Sequence, residues 1–248
     1  ANPNNYVSID GELWRIIGVM KDIDDGTGIK EDRIKLIRNE SIGSYSWDTS
    51  ASDVNDGRGV NEWSQADTMK LLNQGYENGE IGGSLYWNNM AGNCYKKISN
   101  QTIECDFTSI GMKEKMKMFV DEVIWNTGGV RSTDWHTEGN VIKFYEYERS
   151  NISGQNCRDS NEYCNAIKTS TTWTGKVGLM YPSDYGYATS GGSATNRTTC
   201  LNFALKNWNL LADCFSNSWI YNSQWTWTIN PVGANGFILS ITGLIGES

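Results

Sequence analysis

The residues predict an α+β fold: one domain of mostly antiparallel strands with two or three helices, spanning 1–248. Three observations carry the prediction. Alternating apolar runs near the start hinge on a tight-turn dipeptide, two later stretches repeat apolar residues at helical spacing, and the six cysteines fall into three close couples.

The strands come first. "YVSIDGELWRIIGVM" alternates around Asp10-Gly11, a strong two-residue hairpin signal, and "RIKLIRN" adds a third strand to the meander. Between them "KDIDDGTG" brings Asp22, Asp24 and Asp25 close to glycines. A solvated hairpin turn is the favoured reading, with a calcium loop as the alternative, although the closing Glu of an EF-hand is missing. No other cofactor is expected.

Helical spacing follows. "NEWSQADTMKLLNQGYE" places Ala66, Met69 and Leu72 on one face, with Asn61 or Ser64 to cap it and Gly75 to end it. Met112, Met116, Phe119 and Val123 form a second stripe, predicting a core-facing helix from about Met112 to Trp125. "NVIKFYEYERSN" reads as a strand turning into a short helix, and "LNFALKNWNLL" as a third helix. In "TWTGKVGLMY" the alternation of Val177, Leu179 and Tyr181 predicts a strand with Tyr181 inward, and "QWTWTI" another with Trp225 and Trp227 in the core. "NGFILSITGLIGES" adds one or two strands, the last ending at its turn, which is the pattern of a truncated C-terminal end.

Each cysteine couple closes a short polar loop: Cys94 with Cys105, Cys157 with Cys164, and Cys200 with Cys214. Local pairing is favoured over zinc, because no couple is C-x-x-C and the single histidine lies elsewhere. Disulfides place the chain outside the cell or on its wall. The formal charge of −8 and the absence of a basic stripe argue against nucleic acid as partner. No stretch approaches the roughly 18 apolar residues of a membrane span, and an export segment, if used, is expected outside these residues.

Five blocks in order, "NYVSIDGELWRIIGV", "IKLIRNESIGSYSWD", "NEWSQADTMKLLN", "VIWNTGG" and "TWTGKVGLMYPSDYGYATSGG", resemble a domain of unknown function found in surface and secreted proteins of gut-dwelling Gram-positive bacteria. The resemblance covers nearly the whole chain, from Asn5 to Pro231, and implies a C-type-lectin-like fold and a ligand-binding, adhesin-like role. Domains of that kind run on to further closing strands, which are missing here. The E-P-N, Q-P-D and W-N-D triplets of calcium-dependent sugar sites are also absent; "YWNNM" stands at 86–90.

Catalytic chemistry finds few footholds. Any Ser-His or Cys-His mechanism would have to use His136, which sits in the polar segment "STDWHTEG". There is no G-x-S-x-G elbow and no phosphate-binding glycine motif. Glu146 and Glu148 in "YEYER" are expected on one face of a strand, which keeps a glycoside hydrolase as an alternative, since that chemistry needs two carboxylates facing one cleft.

Recognition has more to work with. "SDYGYATSGGS" and "SNSWIYNSQW" combine Tyr and Trp with Asn, Ser and Gly and almost no charge, the composition of adaptable binding surfaces. As neighbouring loops at one end of a sheet they would display Tyr185, Tyr187, Trp219 and Tyr221, with Asn217, Asn222 and Ser223 as hydrogen-bonding groups; Trp135 is a further candidate. The expectation is a non-catalytic cell-surface or secreted module that binds a host macromolecule, such as immunoglobulin or another glycoprotein, or its glycans. A structural stalk or pilus-type domain is the other alternative.

Overall fold

The structure is a computed structural model that describes residues 4–49, 62–95, 101–127, 139–149, 172–221, 226–232 and 237–241. The chain divides into two compact units. The N-terminal unit takes residues 5–125 and 172–178, and the C-terminal unit takes 1–4, 126–171 and 179–248. Antiparallel strands and short helices make both units α+β in content.

In the N-terminal unit, strands β1 (Tyr6–Ile9), β2 (Glu12–Asp24) and β3 (Lys30–Arg38) form the expected meander. Ile9 pairs with Glu12, leaving Asp10 and Gly11 as the two-residue loop, at φ 54° and 79°. Both angles are positive, as a turn matching strand twist demands. At the β2–β3 turn the aspartates act on their own backbone. Asp24 Oδ1 accepts from the amides of Gly26 (2.8 Å) and Gly28 (3.2 Å), and Asp25 Oδ1 accepts from the amide and hydroxyl of Thr27 (both 2.7 Å). These bonds hold the Asp25 carboxyl below its ordinary range. Among the described residues no group of three or more His, Cys, Asp or Glu is placed to hold a metal ion.

The core of this unit is aromatic. Helix α1 (Asp67–Leu72), preceded by a 3-10 turn at Trp63–Gln65, buries Ala66, Met69 and Leu72 on the expected face. Trp63 is fully buried, 5.3 Å from Trp47 and 5.8 Å edge-on from Trp173. Tyr86 lies edge-on to Phe107, and burial pushes its phenol up to about 12. Strands β4 (Ala91–Tyr95) and β5 (Thr102–Asp106) pair antiparallel and carry the Cys94–Cys105 disulfide.

The predicted helix from Met112 to Trp125 is not one element. Helix α2 covers only Glu114–Lys117, and Val123–Asn126 is strand β6, paired with β7 (Thr172–Gly175). Met112 and Met116 are buried as expected, whereas Met118 and Phe119 are 81% and 70% exposed. The β-branched and aromatic run Val123-Ile124-Trp125 favours pairing over helix continuation, and Arg33 holds Asp121 at 2.7 Å. Past Gly175 the chain leaves the sheet. The buried Asn73 side chain then mimics a strand neighbour: Oδ1 accepts from Val177 N, and Nδ2 donates to Val177 O and Met69 O, all at 2.9 Å. Asn73→Ala removes all three bonds and is expected to lower stability by about 2 kcal/mol, read as a shift in urea midpoint; an unchanged midpoint would refute the docking role.

In the C-terminal unit, Val141–Arg149 is a helix throughout, α3. The strand reading of "YEYER" is overturned because Val141, Phe144 and Glu148 are the fully buried residues, and their spacing is helical. Helices α4 (Pro182–Tyr187), α5 (Arg197–Asn202) and α6 (Ala212–Ser216) follow, with a 3-10 segment at Leu205–Leu210 and the strand pair β8 (Thr226–Val232) and β9 (Phe237–Ile241). The expected helix at "LNFALKNWNLL" thus splits: its first residues end α5, which Asn196 caps by accepting from Thr199 N. Trp227 is 39% exposed, not core. A register shift between Trp227 and Pro231 breaks the alternation on which the core expectation rested. Trp225 and residues 242–248 lie outside the described residues.

Candidate recognition site

The two aromatic segments do come together, though as short helices and turns. The backbone of Thr189 bridges Ser218, Trp219 N donates to Ala188 O (3.3 Å), and Ser190 N donates to Asn217 O (3.3 Å). A disulfide from Cys200 to Cys214 ties α5 to α6, and the Thr189 hydroxyl donates to the Cys214 carbonyl.

"PSDYGY" forms a helix because its start is fully specified. Pro182 takes the first helical position, where no amide bond is lost, and Asp184 Oδ2 accepts from Tyr181 N at 2.8 Å. The second cap comes from α3. Glu148, fully buried, accepts from Ser183 N (2.8 Å) through Oε1 and from the Ser183 hydroxyl through Oε2. A carboxylate at a helix start completes amides that the helix itself leaves open. Pro182 through Gly186 are buried as a result.

This burial corrects one site residue. Tyr185 is 5% exposed and packs 5.8 Å from Trp208, so it is a core ring, not a displayed one. Burial, with the neighbouring Tyr221 phenol second, pushes its hydroxyl well above the ordinary range. Tyr181 points inward as expected, its hydroxyl accepting from Asn126 N at 3.0 Å.

Tyr187, Trp219 and Tyr221 are half-buried, and Asn217 is exposed. Tyr187 stands edge-on to Tyr145 at 5.7 Å, with the Arg197 guanidinium 5.7 Å from its ring centre. Tyr221 leans on Phe215 at 5.5 Å. Asn217 Nδ2 donates to Asp213 O. Trp135, His136, Asn222, Ser223 and the Cys157–Cys164 couple lie outside the described residues.

The charges next to these rings are engaged internally. Arg197 donates to the carbonyls of Thr189 and Tyr187, both at 3.1 Å. Asp213 Oδ2 accepts from Ala194 N (2.7 Å) and Thr195 N (2.9 Å). Arg197 and Asp213, the charges that touch this pair of segments, are thus bonded to its backbone. Tyr145 and Arg197 were missed as neighbours of Tyr187. A helical reading of α3 finds Tyr145, which shares the exposed face with Ile142 and Glu146. Nothing local to Arg197 announces its contact.

The paired-carboxylate arrangement is not present. On a helix, residues two apart point to different sides. Glu146 is exposed while Glu148 is buried against Ser183, so the two acids do not face one cleft.

No family model, no curated protein and no solved structure matches the chain.

Proposed function

We propose that this chain is a non-catalytic extracellular or cell-wall module that binds a macromolecule, of the host-glycoprotein class, through the rings of the C-terminal unit. The C-type-lectin-like character expected from sequence belongs to the same reading. One observation carries it: the Thr189–Ser218 bridge and the Cys200–Cys214 disulfide fix two aromatic segments side by side, with Tyr187, Trp219 and Tyr221 half-exposed and Asn217 beside them. Rings held in advance lose little conformational entropy on binding. Two disulfides among the described residues fit an oxidising setting.

The test is binding to arrayed secretory immunoglobulin, mucosal glycoproteins and their released glycans. Tyr187→Ala combined with Trp219→Ala is expected to weaken a specific interaction by about 30-fold, the effect of losing a central aromatic contact, with an unchanged circular dichroism spectrum. Absence of any specific partner would instead favour the spacer role, and turnover of aryl glycosides would replace binding with catalysis.

A further inference from the structure

Between α1 and the turns that precede β4, residues 77–81 are all exposed. Asn78 is followed there by Gly79, which has φ +93° and nothing within 4 Å of where a Cβ would stand. Neither the Asn78 carboxamide nor the Gly79 amide makes a hydrogen bond. We propose that Asn78 is a site of spontaneous deamidation, converting to aspartate and isoaspartate in the folded protein.

The chemistry needs only water. The Gly79 amide nitrogen, on losing its proton, attacks Cγ of Asn78. The bond from Cγ to the side-chain nitrogen breaks, ammonia leaves, and a five-membered succinimide closes. Water then opens either carbonyl, so asparagine and water become ammonia and either aspartate or isoaspartate, with no change of oxidation state. Glycine favours the attack because it has no side chain to obstruct the ring and its backbone rotates freely. Asparagine is among the heat-labile residues for this reason.

Neighbouring asparagines are held otherwise. Asn73 is buried with both side-chain atoms bonded, Asn88 Nδ2 donates to Glu77 Oε1 (3.0 Å), and Asn89 Nδ2 donates to Met112 O (2.8 Å). Each of these precedes a larger residue than glycine, as does the exposed Asn93. The other Asn-Gly pair, 235–236, lies outside the described residues.

The consequence is a surface change, not a core one. The turn gains a carboxylate between Glu77 and Glu80, and the isoaspartyl form adds a methylene to the main chain. The two flanking carboxylates have partners away from Asn78: Glu77 accepts from Asn88, and Glu80 lies 2.9 Å from Lys70.

Incubation of the intact chain at neutral and mildly alkaline pH, followed by peptide mapping with mass spectrometry, tests this. The peptide carrying Asn78 is expected to gain the mass of an amide-to-acid exchange earlier than those carrying Asn73, Asn88, Asn89 or Asn93. Protein isoaspartyl methyltransferase should label it, and the rate should rise with pH. Gly79→Ala is expected to slow the conversion several-fold, and Asn78→Gln to remove the early acidic species on ion exchange while the melting temperature holds. Conversion of other asparagines first, or an equal rate in the Gly79→Ala variant, would overturn the assignment.

Discussion

Gly186→Ala is expected to destabilise the C-terminal unit by about 3 kcal/mol or more and, with it, to abolish the partner capture proposed for its rings. A methyl group at Gly186 would lie 2.3 Å from Val141 Cγ2 and 2.5 Å from Cγ1. Val141 is fully buried at the start of α3, and the Glu148–Ser183 bonds join α3 to α4 two turns further on. The helices therefore cannot separate to admit the methyl without breaking a buried carboxylate's bonds. Overpacking of a closed core typically costs 1–3 kcal/mol, and losing those bonds adds to it. Urea denaturation gives the stability change, and partner capture gives the functional one. Val141→Ala in the same chain opens the space and should restore part of both. A Gly186→Ala protein as stable as the parent would mean that α3 and α4 do not meet as closely as described.

Much of the N-terminal unit was legible in the sequence, because its signals are local. Asp10-Gly11 specifies a hairpin through two positive φ angles, and the alternation on either side fixes which residues pair. Ala66, Met69 and Leu72 repeat at helical spacing and are buried. The second helix failed for an equally physical reason. Its stripe of Met112, Met116, Phe119 and Val123 is real as a pattern, but Val123 was claimed by pairing between β6 and β7, a contact between residues about fifty positions apart, and Phe119 is left exposed in the turn before it. Periodicity does not register a distant partner.

The candidate site was half legible. Composition singled out two segments that a backbone bridge between Thr189 and Ser218 places side by side. Which rings stay outside was not readable, because it depends on α4. Glycine beside Tyr185 suggested a displayed loop. Gly186 is there because Val141 leaves no room for a side chain, and the same close packing draws Tyr185 into the core. The sequence did carry two warnings, Pro182 and Asp184, which together start a helix. In "YEYER" the alternation of Glu and Tyr masked the helical spacing of Val141, Phe144 and Glu148.

Removal of the Cys200–Cys214 disulfide tests whether this bridge holds the segments proposed to bind. The bridge closes a separation of 14 residues, so its loss is expected to cost about 3 kcal/mol in the chain-entropy account. Both cysteines are fully buried, one at α5 and one at α6, and the Thr189 hydroxyl bonds the Cys214 carbonyl. Loosening α6 therefore loosens the Thr189–Ser218 bridge and the orientation of Trp219. In the Cys200→Ala, Cys214→Ala protein the amides of Ser190 and Trp219, which bond across the bridge, should exchange hydrogen faster, and partner affinity should fall with them. The double Cys94→Ala, Cys105→Ala change is the matched control. Its separation is 11 residues, and antiparallel pairing between β4 and β5 brings the same residues together independently. Stability should drop by a comparable amount, about 3 kcal/mol, while exchange at Ser190 and Trp219 and partner affinity hold. Equal loss of affinity in both proteins would tie binding to general stability, and unchanged exchange after losing Cys200–Cys214 would show that the rings are held by the helices alone.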